Sequence, residues 1–79
     1  MRNIDVMKAF LRNQKAKTQN LNTDGVVLVN YRTIIAAWSE HGLVVDKTRY
    51  SVTTSKIQNQ LLRLATENNI VPIKVDGIS

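Results

Sequence analysis

Apolar residues recur every three to four positions near the start of the chain. Val6, Met7, Phe10 and Leu11 fall on one side of a helix predicted over residues 4–16. Asn3 is placed to cap it, and Lys8, Arg12 and Lys15 make a basic stripe at i, i+4 and i+7 beside the apolar one. Residues 17–25 are polar and end in Asp24-Gly25, which predicts a loop or hinge. From Val26 the pattern becomes β-branched. Residues 26–31 read as a buried strand, and 33–38 as a second strand after a break at Arg32. Residues 39–42 form a hairpin connection with Gly42 where positive φ is needed, and 43–50 read as a third strand with one wet face.

A second amphipathic helix runs to about Asn68. Its core face is Ile57, Leu61, Leu64 and Ala65, and its wet face is Lys56, Asn59, Gln60, Arg63 and Glu67. Asn68-Asn69 supplies a stop. Residues 70–75 are β-branched, and Pro72 confines them to an edge strand or an extended tail. The pattern predicts an α+β fold: an N-terminal helix, a three-stranded antiparallel meander, an amphipathic helix closing one face, and a short C-terminal edge strand. The organisation expected is one domain over 1–79, divided into a basic helix (1–19), a polar hinge (20–25) and a sheet plus helix (26–76).

Composition narrows the function. At 79 residues the chain is one small domain with no cysteine and a single histidine, His41. Disulfides, thiolate metal sites and two-histidine zinc sites are therefore excluded. No apolar run is long enough to cross a bilayer, and no secretory signal opens the chain, so a cytoplasmic protein with no membrane partner is expected. Eleven Lys and Arg against six Asp and Glu give +5. Residues 1–19 hold Arg2, Lys8, Arg12, Lys15 and Lys17 against Asp5 alone, so most of the field sits at the amino terminus. A basic field attracts polyanions and points to nucleic acid, DNA or RNA; simple solubility accounts for the same charge equally well.

The densest polar cluster is Lys47-Thr48-Arg49-Tyr50-Ser51-Val52-Thr53-Thr54-Ser55-Lys56, where the third strand turns into the second helix. Hydroxyls there cap a helix start. One cap suffices, so the surplus hydroxyls, together with Arg49 and Lys56, would also suit a phosphate; capping is the commoner role. Tyr31 and Trp38 could stack on bases, but Phe10, Tyr31 and Trp38 lie in apolar runs that a core needs, with the core role assigned to Phe10 and Trp38, which leaves Tyr50 as the open aromatic. His41 beside Glu40 reads as a turn residue, because no nucleophile or orienting group accompanies it. With no Gly-rich phosphate loop and no clustered carboxylates, no enzymatic activity, cofactor or metal is expected.

Tyr50-Ser51-Val52-Thr53-Thr54-Ser55-Lys56-Ile57-Gln58, preceded by Tyr31-Arg32-Thr33-Ile34-Ile35-Ala36-Ala37-Trp38, resembles a family of small uncharacterised phage and mobile-element proteins. That family carries a Tyr-Ser-x-Thr-Thr-Ser-Lys-x-Gln motif. The likeness spans about residues 28–64; Arg32 stands where a small turn residue such as glycine is expected, and Ile57 where histidine is common. It implies a mobile-element setting and no particular mechanism. The reading is a non-enzymatic nucleic-acid-binding accessory protein, holding phosphates through Lys8, Arg12, Lys15, Lys47, Arg49, Tyr50, Thr53, Lys56 and Arg63. The alternative is a protein-interaction module that modulates a host protein, or a homodimer, with its contact on the apolar side of the first helix or on the strand from Ile70.

Overall fold

The computed structural model describes residues 2–48 and 51–78. The chain runs α1 (Asn3–Leu11), β1 (Ala16–Lys17), β2 (Leu21–Thr23), β3 (Val27–Asn30), β4 (Thr33–Ser39), β5 (Gly42–Asp46), α2 (Val52–Glu67) and β6 (Ile73–Val75). Among the described residues the six strands form one sheet in chain order. Neighbours are antiparallel except β5 and β6, which are parallel. A parallel pair cannot be closed by a hairpin, and α2 is the crossover that joins it. α1 lies over β1, β2 and β3, and α2 lies against β5 and α1, so both helices cover the same face.

The α+β class stands, but the three-stranded meander is corrected to a six-stranded mixed sheet. β2 falls inside the segment expected to be a polar hinge. Its two inward residues, Leu21 and Thr23, are buried, and threonine hid the alternation. β1 is two residues long and holds one apolar side chain, Ala16. Between them Thr18 does the work of a turn: its Oγ1 accepts the Leu21 N–H at 3.1 Å and donates to Asn3 Oδ1 at 2.8 Å, tying the start of α1 to the sheet. Asn3 is thus the first helical residue, spent on Thr18, and Arg2 is the N-cap, its N–H donating to Asp5 Oδ2 at 3.0 Å.

α1 also stops sooner than residue 16. Asn13 adopts φ 57°, its N–H reaches the Phe10 carbonyl, and the Gln14 N–H reaches the Ala9 carbonyl at 2.8 Å. These two bonds are a Schellman termination, satisfying carbonyls that the last turn would otherwise leave free. α2 ends the same way at Asn69 (φ 60°), with Ile70 N–H on the Ala65 carbonyl. Asn13 Nδ2 then donates to the Gly25 carbonyl at 3.0 Å, and a Cβ on Gly25 (φ +99°) would lie 2.8 Å from the Asn13 carbonyl oxygen. Only glycine permits that approach.

The core lies between the helices and the sheet. Val6, Met7 and Phe10 meet Leu21, Leu28, Ile35, Ala36, Leu43 and Val45 of the sheet, with Ile57, Leu61, Leu64 and Ala65 of α2. The first helix therefore spends its apolar side on the core, which corrects the expectation that this side is free for a partner. The β3–β4 register shifts by one residue between Leu28 and Val29. The extra residue on β4 turns both Ile35 and Ala36 inward, and both are fully buried. Trp38 joins them: its Nε1–H donates to the Phe10 carbonyl at 2.8 Å, and its ring lies 6.0 Å from that of Phe10.

Asp24 starts the β2–β3 turn, where its Oδ1 accepts the N–H groups of Val26 (2.9 Å) and Val27 (3.0 Å). The Val27 bond first, then that of Val26, with Lys15 adding a smaller pull, hold its carboxyl below the ordinary carboxylate value. A depressed folded-state pKa gives stability that is present above the unfolded value, ~3.9, and is lost as pH falls through the lower folded value. The urea midpoint of the wild type is therefore expected to fall below about pH 4 more steeply than that of Asp24→Asn. Equal slopes for the two proteins would contradict the role assigned to this turn.

Candidate nucleic-acid interface

The basic residues expected to hold phosphates do not form one patch. Lys8 and Arg12 are exposed at the end of α1 and, with Leu11, Asn68 and Ile70, line a cleft of about 150 Å³. Asn68 is the C-cap of α2, whose last turn contains no basic residue of its own. The two cations therefore sit beside a partly negative helix end, a placement that favours them by ~0.3–1 kcal/mol each and leaves their outer N–H groups facing solvent. Thr53, Lys56 and Arg63 are exposed along α2. Arg2 is exposed at the start of α1, a cation the phosphate-contact reading did not include.

Lys15 lies beyond the end of α1, so the expected helical stripe is broken after Arg12. It lines a separate cleft of about 510 Å³ with Lys17, Asn22 and Asp24 at the β1 edge. Lys47 follows β5, 3.9 Å from Asp76, and borders α2 through a cleft shared with Ser55, Asn59 and Leu62. Arg49 and Tyr50 lie outside the described residues. Among the described residues the ion pairs are Lys47–Asp76 and the exposed His41–Glu40 contact at 3.5 Å, and Arg2, Lys8, Arg12, Lys56 and Arg63 are in neither.

The hydroxyl cluster is largely structural. Ser51 is the N-cap of α2, its Oγ accepting the Thr54 N–H at 3.1 Å. Thr54 is buried; its hydroxyl accepts from Ser51 Oγ and donates to Asn30 Oδ1 at 3.0 Å, while Asn30 Nδ2 donates to the Asn20 carbonyl. Gln58, also buried, donates to the carbonyls of Asp46 (2.6 Å) and Thr48 (3.2 Å). Asp46 Oδ1 in turn accepts the N–H groups of Thr48 and Gly77. The motif residues Ser51, Thr54 and Gln58 thus lock α2 to β3 and to the end of β5, and Val52, Thr53 and Lys56 are exposed. Thr54→Val keeps the shape but removes the donor to a buried carbonyl oxygen. It is expected to cost about 1–3 kcal/mol in urea unfolding, with native circular dichroism retained; no loss would contradict the lock.

The aromatics divide as well. Trp38 is committed to Phe10, and Tyr31 stands 68% exposed in the β3–β4 turn at φ 56°, a costly conformation for a side chain of this size. Among the described residues no three His, Cys, Asp or Glu side chains converge on a metal position, and no helix is long and apolar enough to cross a membrane. The sequence reading missed the outer face of the sheet. The strand expected to be buried, 26–31, turns Val27 and Val29 away from the helices, and Ile34, Ala37 and Val44 continue that row on β4 and β5, all half-buried and outside the core. The signal was the excess of apolar strand residues over what two helices can cover.

No curated protein and no solved structure matches this chain. Residues 4–76, from the first turn of α1 through β6, match a family model described as a family of unknown function, DUF8033. That match spans nearly the whole domain, and the chain belongs to the DUF8033 family.

Proposed function

We propose that the chain is a small non-enzymatic nucleic-acid-binding protein that grips phosphates through its helix layer, acting in the cytoplasm as an accessory factor of a phage or mobile element. The observation that carries this reading is the charge of that layer. α1, α2 and their caps expose Arg2, Lys8, Arg12, Lys56 and Arg63 against Asp5 and Glu67, and none of the five cations is in ion-pair contact with a described carboxylate. Lysine meets a phosphate as a point charge and arginine through a planar fork, and each contact releases condensed counterions. Lys15 and Lys17 at the β1 edge extend the field to the side.

The test is fluorescence anisotropy of labelled duplex DNA, single-stranded DNA and RNA at low salt. Micromolar or tighter binding to at least one polymer is expected. No binding to any of them would make +5 a matter of solubility. The second reading, a protein-interaction module, is favoured by one observation only: the outer face of the sheet, apolar across β3, β4 and β5 and charged at β1 through Lys17.

A further inference from the structure

Val29 and Ile34 are direct partners across β3 and β4, as are Val27 and Ala37, and Val44 continues the row on β5 toward Ile73 of β6. These side chains face away from both helices. We propose that this face is the seam of a homodimer in which two copies stack sheet on sheet. The two-fold axis lies between the sheets and runs across the strands, so that each strand opposes its counterpart in the reverse direction.

The ends of the sheet argue for that arrangement. The β2–β3 and β4–β5 turns share one end, where Asp24 and Glu40 outnumber Lys15; the β3–β4 turn and the ends of β5 and β6 share the other, where Arg32 and Lys47 outnumber Asp76, the carboxylate beside Lys47. Reversal across the axis sets the acidic end of one copy on the basic end of the other. Among the described residues Glu40 is in ion-pair contact with the exposed His41 alone, and Arg32 is in no ion pair. Each is thus available for its opposite. The exposed apolar residues follow the same symmetry. Val26, 53% exposed, precedes β3 and Tyr31, 68% exposed, follows it, so reversal brings Val26 of one copy toward Tyr31 of the other.

Size and charge agree. Six strands at ~4.8 Å spacing, each a few residues long at ~3.3 Å per residue, offer just under ~400 Å² of flat footprint. With the exposed side chains at both ends, this reaches the lower range of specific interfaces, about 600 Å² per partner. Each copy carries +5, and this stacking keeps the two basic helix layers on opposite outer sides. The face is a poor platform for single-stranded nucleic acid, because its strands present no aromatic side chain outward.

Sedimentation velocity from micromolar to sub-millimolar protein tests the proposal. A concentration-dependent species of about twice the 8.9 kDa chain mass is expected. Val29→Lys places two charges in the seam and is expected to leave only monomer, with native circular dichroism. Glu40→Arg, in an exposed turn that cannot disturb the core, is expected to raise the dissociation constant about three- to tenfold, and adding Arg32→Glu is expected to restore it. A wild type that stays monomeric throughout, or a dimer indifferent to Val29→Lys, would overturn the seam. A dimer weakened by Glu40→Arg but not restored by the double exchange would overturn the reversed orientation. A monomer whose nucleic-acid affinity drops on Val29→Lys would put nucleic acid on the sheet instead of a second copy.

Discussion

Phe10→Ala is expected to destabilise the domain by about 3–5 kcal/mol. The ring is fully buried between the helix layer and the sheet and rests against Trp38. Alanine keeps the carbonyl that receives the Trp38 Nε1–H, so the loss is the ring's burial and the cavity it leaves. A chain of 79 residues commands only about 4–12 kcal/mol in total, at ~0.05–0.15 kcal/mol per residue. The variant should therefore be substantially unfolded at physiological temperature, seen as loss of the near-ultraviolet Trp38 signal and of a cooperative melt. Phe10→Leu, which refills most of the space, should melt cooperatively. A Phe10→Ala melting temperature within a few degrees of wild type would show that α1 is not part of the core.

Reversing charge on the helix layer is expected to have the largest effect on binding. Lys8→Glu, Arg12→Glu, Lys56→Glu and Arg63→Glu together remove four charge-assisted contacts worth ~1.5 kcal/mol or more each, and should weaken nucleic-acid affinity by about ten-thousandfold or more. All four side chains are exposed, so the fold should survive. Reversal of Lys8 and Arg12 also sets carboxylates beside the α2 C-terminus and should lower stability by up to about 1 kcal/mol each. Lys15→Glu with Lys17→Glu is the control, since those residues line a different wall, and a smaller loss is expected there. If this control loses as much as the fourfold reversal, the site is the β1 edge and the helix layer is not the interface.

How much of this was written in the sequence differs by element. α2 was legible because Ile57, Leu61, Leu64 and Ala65 repeat at helical spacing and Asn68-Asn69 stops them. β3, β4 and β5 were legible because their residues are almost all β-branched or apolar. The same richness hid their two-sidedness, since inward Leu28 and outward Val29 look alike without the sheet around them. β1 and β2 were illegible because tertiary contacts define them. Thr23 is buried although its side chain is polar, and Thr18 makes a turn through hydrogen bonds that no propensity encodes. The α1 stop depended on Asn13 taking a left-handed conformation to meet Gly25, twelve residues away. At the candidate site, exposure of Lys8, Arg12, Lys56 and Arg63 followed from periodicity. The division of the cations over separate walls, and the commitment of Thr54 and Gln58 to buried carbonyls, required the packed structure.

The most direct measurement is the salt dependence of binding for wild type and for Lys8→Ala with Arg12→Ala, using whichever polymer binds. Each phosphate held contributes ~0.9 to the slope of log affinity against log salt on duplex DNA, or ~0.7 on a single strand. Loss of two cations that each hold a phosphate should make the slope shallower by about 1.8 or about 1.4 respectively. Parallel lines for the two proteins would mean that Lys8 and Arg12 hold no phosphate and that the helix layer is not where nucleic acid binds.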